Sequence, residues 1–381
     1  MYISNSYSCK RSLLSWIGAS SSSSIDQNYR RINCSSRQSN WSFLCLASST
    51  IRKAIGMVKN QTRISIAKVI GNVPPYLEVL IVKATGHNNE PPEEKYTREI
   101  LNLTSDSKSY VNACIHTLSI RLSKTHDWIV ALKALMLIHR LLVDGVPTFS
   151  QEIKGTRILN MSDFHDEVHS NSWEHSGFVK TYAIYLNRKL ELMEFDKKVN
   201  AFNNSLHFED RYKDFNGDLN DPVRFRKIKT EKILERLHWL LRVLDRVLSC
   251  RPTGNAKSNR IVLIALYLVL KDSFRVYGDV CEMVGVLVDR FSQMEYDIGV
   301  KAFDQSVYAS RKSDELVDFY KWCKDIGVAK SSEFPNVEKI SDELLSGLET
   351  VLREKKNVSY NSEKSNNERE MLPNRDFNQF N

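Results

Sequence analysis

One segment constrains the fold of this chain more than any other: DWIVALKALMLIHRLLVDG, which runs from Asp127 to Gly145. Leu, Ala, Met and Ile dominate it and favour a helix, which Asp127 can cap at the start and Gly145 at the end, with Pro147 just beyond. A helix that is apolar on nearly every face must be surrounded by other helices. It is also too interrupted to cross a bilayer, which takes about 20 apolar residues. The segment predicts the central buried helix of an all-α domain. The polar residues inside it are Lys133, His139 and Arg140.

Helical periodicity recurs on both sides of this segment, and no stretch alternates at period two, so almost no sheet is expected. The pattern divides the chain into a disordered Ser-rich leader (1–49), a helical domain (50–335), and a short helix with a disordered tail (336–381). Within the domain we expect a first helical part (50–195), a polar loop (196–229) and a part built of long helices (230–335). The last predicted helix is ISDELLSGLETVLRE, and the disordered tail is expected from Lys356 onward.

Positive charge is concentrated at the amino end. Residues 1–83 carry a net charge of +9 in a chain whose total is +8, so the remainder is nearly neutral. Such a basic end suggests a local anionic surface. The first 49 residues suit a disordered leader or an organelle transit peptide, and a start site placed too far upstream is a further explanation. The segment IRKAIGMVKNQTRISIAKVIG suits a basic amphipathic helix on a membrane or the first helix of the bundle.

Motifs for catalysis and metal binding are missing from the sequence. There is no GxxxxGK[ST], GxGxxG after a strand, GxSxG or HExxH, and the seven cysteines form no CxxC pair. His165 and His169 are four residues apart in a polar segment without an evident third ligand, so a solvated loop is favoured over a metal site. His139 is expected to be a satisfied core histidine. We therefore expect no enzyme, no cofactor and no metal, and a reducing cytosolic setting fits the cysteines.

A candidate anion site lies in the segment KATGHNNEPPEEKYTR. Lys83 ends one helix, and Lys95 and Tyr96 lie in the first turn of the next. The Pro91-Pro92 hinge folds the two helix ends together. Two ammonium groups, a phenol hydroxyl and a helix amino terminus can hold a phosphate headgroup. The alternative is that these are the solvated ends of two ordinary helices.

Several of these stretches resemble one known family. They are EVLIVKATGHNNEPPEEKYTREI, CIHTLSIRLSKTHDWIVALKALMLIHRLLVDGVPTF, FVKTYAIYLNRKLE, RPTGNAKSNRIVLIALYLVLKDSFRVY and DELVDFYKWCKDIGVAKSSEFP. In this order they resemble the ANTH domain of plant clathrin assembly proteins, over about Thr50 to Pro335. The resemblance implies a superhelical, α-solenoid-like fold that continues into long carboxyl-side helices. It also implies binding of phosphatidylinositol 4,5-bisphosphate, recruitment of clathrin to membranes, and contact with R-SNARE helices.

The resemblance places the lipid motif on Lys83, Lys95 and Tyr96. Glu93 stands where other members of the family carry a Lys, and Glu94 adds a second acid beside it. Each carboxylate is expected to repel a phosphate at close range. Past Pro335 the chain has no DPF or NPF peptide. A possible clathrin motif remains in DELL, with Asp342, Leu344 and Leu345, which we expect to lie in a helix whose apolar face the two leucines form.

The leading hypothesis is therefore a non-enzymatic adaptor of clathrin-mediated endocytosis and vesicle budding. It would act at the cytoplasmic face of membranes: at coated pits and vesicles, the plasma membrane and the Golgi. The alternative is an interaction domain that sorts a SNARE or other cargo with weak lipid binding. Nucleic-acid binding is disfavoured, because the basic end carries no recognition motif and no basic stripe interleaved with aromatic residues.

Overall fold

A computed structural model of the protein describes residues 75–170, 172–206 and 228–370. These residues form ten α-helices, three short 3-10 turns and no strand, which confirms the all-α prediction. The helices are α1 Pro75–Ala84, α2 Glu94–Asp106, α3 Lys108–Lys124, α4 Trp128–Val143, α5 Pro147–Lys154, α6 Trp173–Leu206, α7 Thr230–Ser249, α8 Arg260–Arg290, α9 Tyr296–Asp325 and α10 Asp342–Glu370.

The central helix is α4, as the sequence predicts. All but two of its residues are buried. Asp127 caps its start by accepting a hydrogen bond from the backbone N–H of Ile129 at 2.8 Å. Gly145 follows its end so closely that a Cβ there would stand 2.3 Å from the carbonyl oxygen of Leu141. Only glycine fits without displacing the last turn, so this residue fixes where the chain leaves the helix.

The other helices pack around α4 and then extend away from it. The first three helices pack against one another and against α4, and α6 and α8 cover its remaining faces. Beyond them α7 lies between α6, α8 and α9, and α10 packs on α9. Each helix mainly contacts its near neighbours, and one contiguous apolar core runs through the described part. This arrangement confirms the superhelical fold class, and the carboxyl side carries three long helices, α8, α9 and α10.

Two segments that the sequence predicts as loop or disordered tail are helical in the structure. Residues 196–206 were predicted to belong to a polar loop, but they continue α6, and Asp196 accepts a hydrogen bond from Arg236 of α7 at 2.9 Å. The last predicted helix also runs further than its apolar pattern, since α10 continues to Glu370. The leader, the basic segment before Pro75, the rest of the loop (207–227) and residues 371–381 lie outside the described residues.

A buried polar network ties α4 to α6 and α8. The carboxylate of Asp272 on α8 accepts hydrogen bonds from Lys189, from Tyr185 and, at 2.7 Å, from Nε2 of His139. Nδ1 of His139 accepts from the Tyr182 hydroxyl at 2.7 Å. Both ring nitrogens of His139 are thus paired, and the ring is 1% exposed. The prediction of a satisfied core histidine is confirmed.

Candidate functional site

The three residues predicted for the anion site lie together on the surface. Lys83, in the last turn of α1, places its Nζ 5.6 Å from the centre of the Tyr96 ring. Lys95, in the first turn of α2, places its Nζ 4.8 Å from the same centre. Both distances are within cation–π range, and both lysines are exposed. The Tyr96 ring, half-buried and packed against the core, thus organises two cations at one solvent-facing point.

The two acids beside this point differ in their surroundings. Glu93 forms an ion pair with Lys95 at 2.6 Å, and both side chains are largely exposed. The hydrogen bond with Glu93 is the main reason why the pKa of Lys95 is raised. Exposed pairs of this kind contribute little stability, so an anion with several charges can displace Glu93.

Glu94 instead faces α4. Its two carboxylate oxygens accept hydrogen bonds from the two terminal nitrogens of Arg140, each at 3.1 Å. Both side chains of this pair are at least three-quarters buried. The charge of Glu94 is therefore balanced within the protein, and only Glu93 of the acidic pair competes directly at the lysines.

The loop that joins α1 to α2 is held from beneath by two buried cations. Arg121 of α3 donates to the carbonyl oxygen of Thr85. Lys133 of α4 donates to the carbonyl oxygens of Gly86, at 3.1 Å, and of Asn88, at 2.7 Å, and to the side-chain oxygen of Asn88, at 2.9 Å. Both cations are 2% exposed. From the sequence alone, Lys133 is only a charged residue within an otherwise apolar helix.

Burial lowers the pKa of Lys133 to about 7, against the opposing influence of Asp127 and Glu90. The three acceptors match the three N–H groups of the protonated amine, whereas a neutral amine offers only two. The geometry therefore fits the ammonium form.

The tip of the same loop contacts two further elements. Nδ1 of His87 lies 2.6 Å from the carboxylate of Asp127 at the start of α4. Asn89 accepts from the side chain of Asn259 and Glu90 from that of Arg260, both at 3.3 Å, at the start of α8. The loop between the two site lysines is thus fixed to α3, α4 and α8.

His165 and His169 do not act as a pair. His165 lies 2.9 Å from Glu167 on the surface, whereas His169 is half-buried and bonds to Asp166 at 3.0 Å, so the prediction of a solvated loop is wrong for His169. Asp127, Asp166 and His169 offer three ligand atoms within 4.8 Å of one another. Asp127 lies far upstream of both histidines in the sequence, so the spacing of the histidines could not reveal it.

The two carboxylates of this cluster already serve as caps of α4. Asp127 accepts from the N–H of Ile129, and Asp166 accepts from the N–H of Trp128 at 2.7 Å. Asp166 also accepts from the N–H of His169 and from the Ser172 hydroxyl. A cation here would compete with these donors at the positive end of the helix dipole. The arrangement is a helix cap whose carboxylates also contact His87 and His169.

The DELL residues lie in the first turn of α10. Asp342 is exposed, and Leu344 and Leu345 are half-buried. The buried apolar face of α10 is formed further along by Leu348 and Leu352, at 6% and 8% exposure. The helix is thus as predicted, but its main docking residues are not the two leucines of DELL.

Fold and site together define an all-helical domain that presents two lysines and a tyrosine on its surface, where two helix ends meet. The sequence model of the ANTH domain matches residues 76–354, which extends past Pro335 and includes the start of α10. The chain belongs to the ANTH domain family.

Its relatives include several described as clathrin assembly proteins. One from Arabidopsis thaliana is 47% identical over 353 residues, which cover 80% of this chain and 56% of the relative. The clathrin coat assembly protein AP180 of the same plant is 36% identical over 326 residues, or 80% of this chain and 50% of that protein. The chain therefore spans about half the length of the curated relatives it matches.

Among solved structures, the ENTH domain of epsin-2 in complex with phosphatidylinositol 4,5-bisphosphate aligns with a TM-score of 0.46 and 16% identity. The alignment covers 70% of this chain and 96% of that domain. Neither the fold assignment nor the site depends on this likeness.

None of the helices in the described ranges is both long and apolar enough to cross a membrane.

Proposed function

We propose that this protein is a non-enzymatic adaptor that binds a phosphoinositide headgroup through Lys83, Lys95 and Tyr96. The observation that carries the proposal is the placement of both ammonium groups within 6 Å of one aromatic ring. Two ammonium groups beside one ring suit a headgroup with neighbouring phosphates, and the Tyr96 hydroxyl adds a hydrogen-bond donor. Phosphatidylinositol 4,5-bisphosphate is the ligand to test first.

The test is co-sedimentation of the full chain with vesicles of phosphatidylcholine alone or with added phosphatidylinositol 4,5-bisphosphate. The site variant is Lys83→Glu with Lys95→Glu. Its matched control is Lys301→Glu with Lys321→Glu, which changes the net charge equally at two exposed positions of α9. The proposal predicts that the parent and the control bind the phosphoinositide vesicles and that the site variant does not.

Two other results would contradict the assignment. Equal binding by parent and site variant would place the contact elsewhere, for example in the basic segment between Arg52 and Lys68. Absence of binding by the parent would mean that Glu93 disables the site. Competition by soluble inositol trisphosphate separates recognition of the headgroup from a general attraction to an anionic surface.

We further propose that the protein takes part in clathrin assembly during endocytic vesicle budding, at the cytoplasmic face of the plasma membrane or Golgi and in coated pits. The support comes from the family and from relatives described as clathrin assembly proteins. The candidate contact is the DELL turn, which is half-buried at Leu344 and Leu345. Sedimentation of clathrin with the full chain, compared with Leu344→Ala, Leu345→Ala, tests it. Unchanged co-sedimentation would rule out this turn.

A second candidate function, sorting of a SNARE or other cargo, is favoured by a groove between α7 and α9. The groove has a volume of about 420 Å³, and its lining combines Leu241 and Tyr308 with Arg242, Asp245 and Arg246. A mixed apolar and charged wall suits an amphipathic partner helix. Binding of an R-SNARE helix to the parent but not to Tyr308→Asp would support this function, and equal binding would exclude the groove.

A further inference from the structure

The inference concerns the buried ammonium group of Lys133, and it rests on the proposed headgroup site. A buried charge is costly unless it is compensated, and carboxylates are the usual partners. Here the three bonded acceptors are amide oxygens of Gly86 and Asn88, all in the loop between the two site lysines. Lys133 therefore makes its hydrogen bonds with the α1–α2 loop, two of them with backbone carbonyl oxygens.

The direction of these hydrogen bonds determines which way the peptide groups of the α1–α2 loop point. The carbonyl oxygens of Gly86 and Asn88 point inward to Lys133, and that of Thr85 points inward to Arg121. Three of the four carbonyl dipoles from Thr85 to Asn88 are thus turned away from solvent. This turns the negative ends of the peptide groups away from an incoming phosphate and leaves the positive charge of Lys133 on the protein side of the loop.

The same bonds hold the segment that joins the two lysines. Lys83 lies two residues before Thr85, and Lys95 is the second residue of α2, which follows the loop. If the loop is free to move, the conformation in which both ammonium groups face Tyr96 is only one of several. The apparent affinity for the headgroup is then the intrinsic affinity multiplied by the fraction of molecules in that conformation.

We infer that Lys133 is a positioning residue for the headgroup site: its buried ammonium group holds the α1–α2 loop in the conformation that brings Lys83 and Lys95 together. Lys133 itself, 2% exposed, touches no ligand. Its contribution is preorganisation, so its loss should weaken headgroup binding without altering the residues that contact the phosphates.

The test is the affinity of the full chain for soluble inositol trisphosphate, measured by calorimetry well below the melting temperature. Lys133→Met keeps most of the length of the side chain and removes its charge, and Lys133→Arg restores a cation. Leu244→Ala is the control for lost stability, because Leu244 is fully buried in α7, away from the loop. Asn88→Ala removes one acceptor from an exposed residue, so it tests the same contact in a variant that keeps the core intact.

We expect Lys133→Met to bind the headgroup about tenfold more weakly. Asn88→Ala should bind about threefold more weakly, Lys133→Arg should recover part of the loss, and Leu244→Ala should bind as the parent does. Parent-like affinity in both Lys133→Met and Asn88→Ala would overturn the inference, as would a loss in Leu244→Ala equal to that in Lys133→Met. If Lys83→Glu with Lys95→Glu also binds like the parent, the proposed site itself fails. If that variant loses binding while both loop variants keep it, only the role of Lys133 fails.

Discussion

Replacing Asp272 with Asn should destabilise the protein strongly, because Lys189 would keep its buried charge without a counter-charge. Lys189 is 8% exposed, and its carboxylate partner in the network is Asp272. Removing one partner of a buried ion pair typically costs about 3 to 5 kcal/mol. Since an Asn at this position can still accept a hydrogen bond from His139, we expect a loss at the lower end, about 3 kcal/mol. This is a large part of the about 5 to 15 kcal/mol that stabilises an ordinary domain.

The assay is urea denaturation of the full chain followed by circular dichroism. Asp304→Asn removes the same charge from an exposed position on α9 and should change the free energy of unfolding by less than about 0.5 kcal/mol. Asp272→Leu combined with Lys189→Met removes both charges, so it should recover much of the stability lost in Asp272→Asn. A loss below about 1 kcal/mol for Asp272→Asn would refute the argument that the network is a buried, mutually compensated pair.

Acidification should act on the same network. Burial lowers the pKa of His139, so the folded protein keeps this ring neutral while the unfolded chain takes up a proton below about pH 6.5. Burial alone would raise the pKa of Asp272, but Lys189 and His139 outweigh it and hold this pKa below its usual range. Its contribution is therefore complete above about pH 4 and is lost at lower pH. The free energy of unfolding should fall as the pH drops below about 6.5 and fall further below about 4. A flat profile from neutral pH to pH 5 would contradict the assignment of a neutral buried His139.

The remaining predictions concern the acidic pair and the end of α4. Glu93→Gln should raise headgroup affinity by about three- to tenfold, because it removes the carboxylate that pairs with Lys95, whereas Glu94→Gln should leave the affinity unchanged and lower the melting temperature. Calorimetry with soluble inositol trisphosphate measures the affinity of each variant, and a thermal melt measures its stability. Equal effects of the two changes would contradict the different surroundings of Glu93 and Glu94. Gly145→Ala should lower the free energy of unfolding by about 1 to 3 kcal/mol, because its Cβ would meet the carbonyl oxygen of Leu141; a parent-like urea midpoint would show that the turn adjusts freely.

The sequence predicted what depends on local pattern. The limits of α4, its Asp127 cap and the turn at Gly145 follow from apolar periodicity and capping preferences, and the structure has all three. The convergence of Lys83 and Lys95 on Tyr96 also follows, because two adjacent helices joined by a short hinged loop must bring their ends together.

What the sequence did not predict depends on contacts between distant residues. Residues 196–206 are polar, yet they remain helical, with Asp196 paired to Arg236 of α7. Glu94 looked like a second repulsive acid because its partner Arg140 lies 46 residues further along the chain. Lys133 interrupts an apolar pattern, and only its distance to the α1–α2 loop shows that it binds that loop.

A crystal structure of the protein with soluble inositol trisphosphate would show directly whether Lys83, Lys95 and Tyr96 hold the headgroup. We expect density for the phosphates between Nζ of Lys83, Nζ of Lys95 and the hydroxyl of Tyr96, with Glu93 displaced from Lys95. A headgroup bound at another cluster of basic residues, with the ion pair between Glu93 and Lys95 intact, would contradict it.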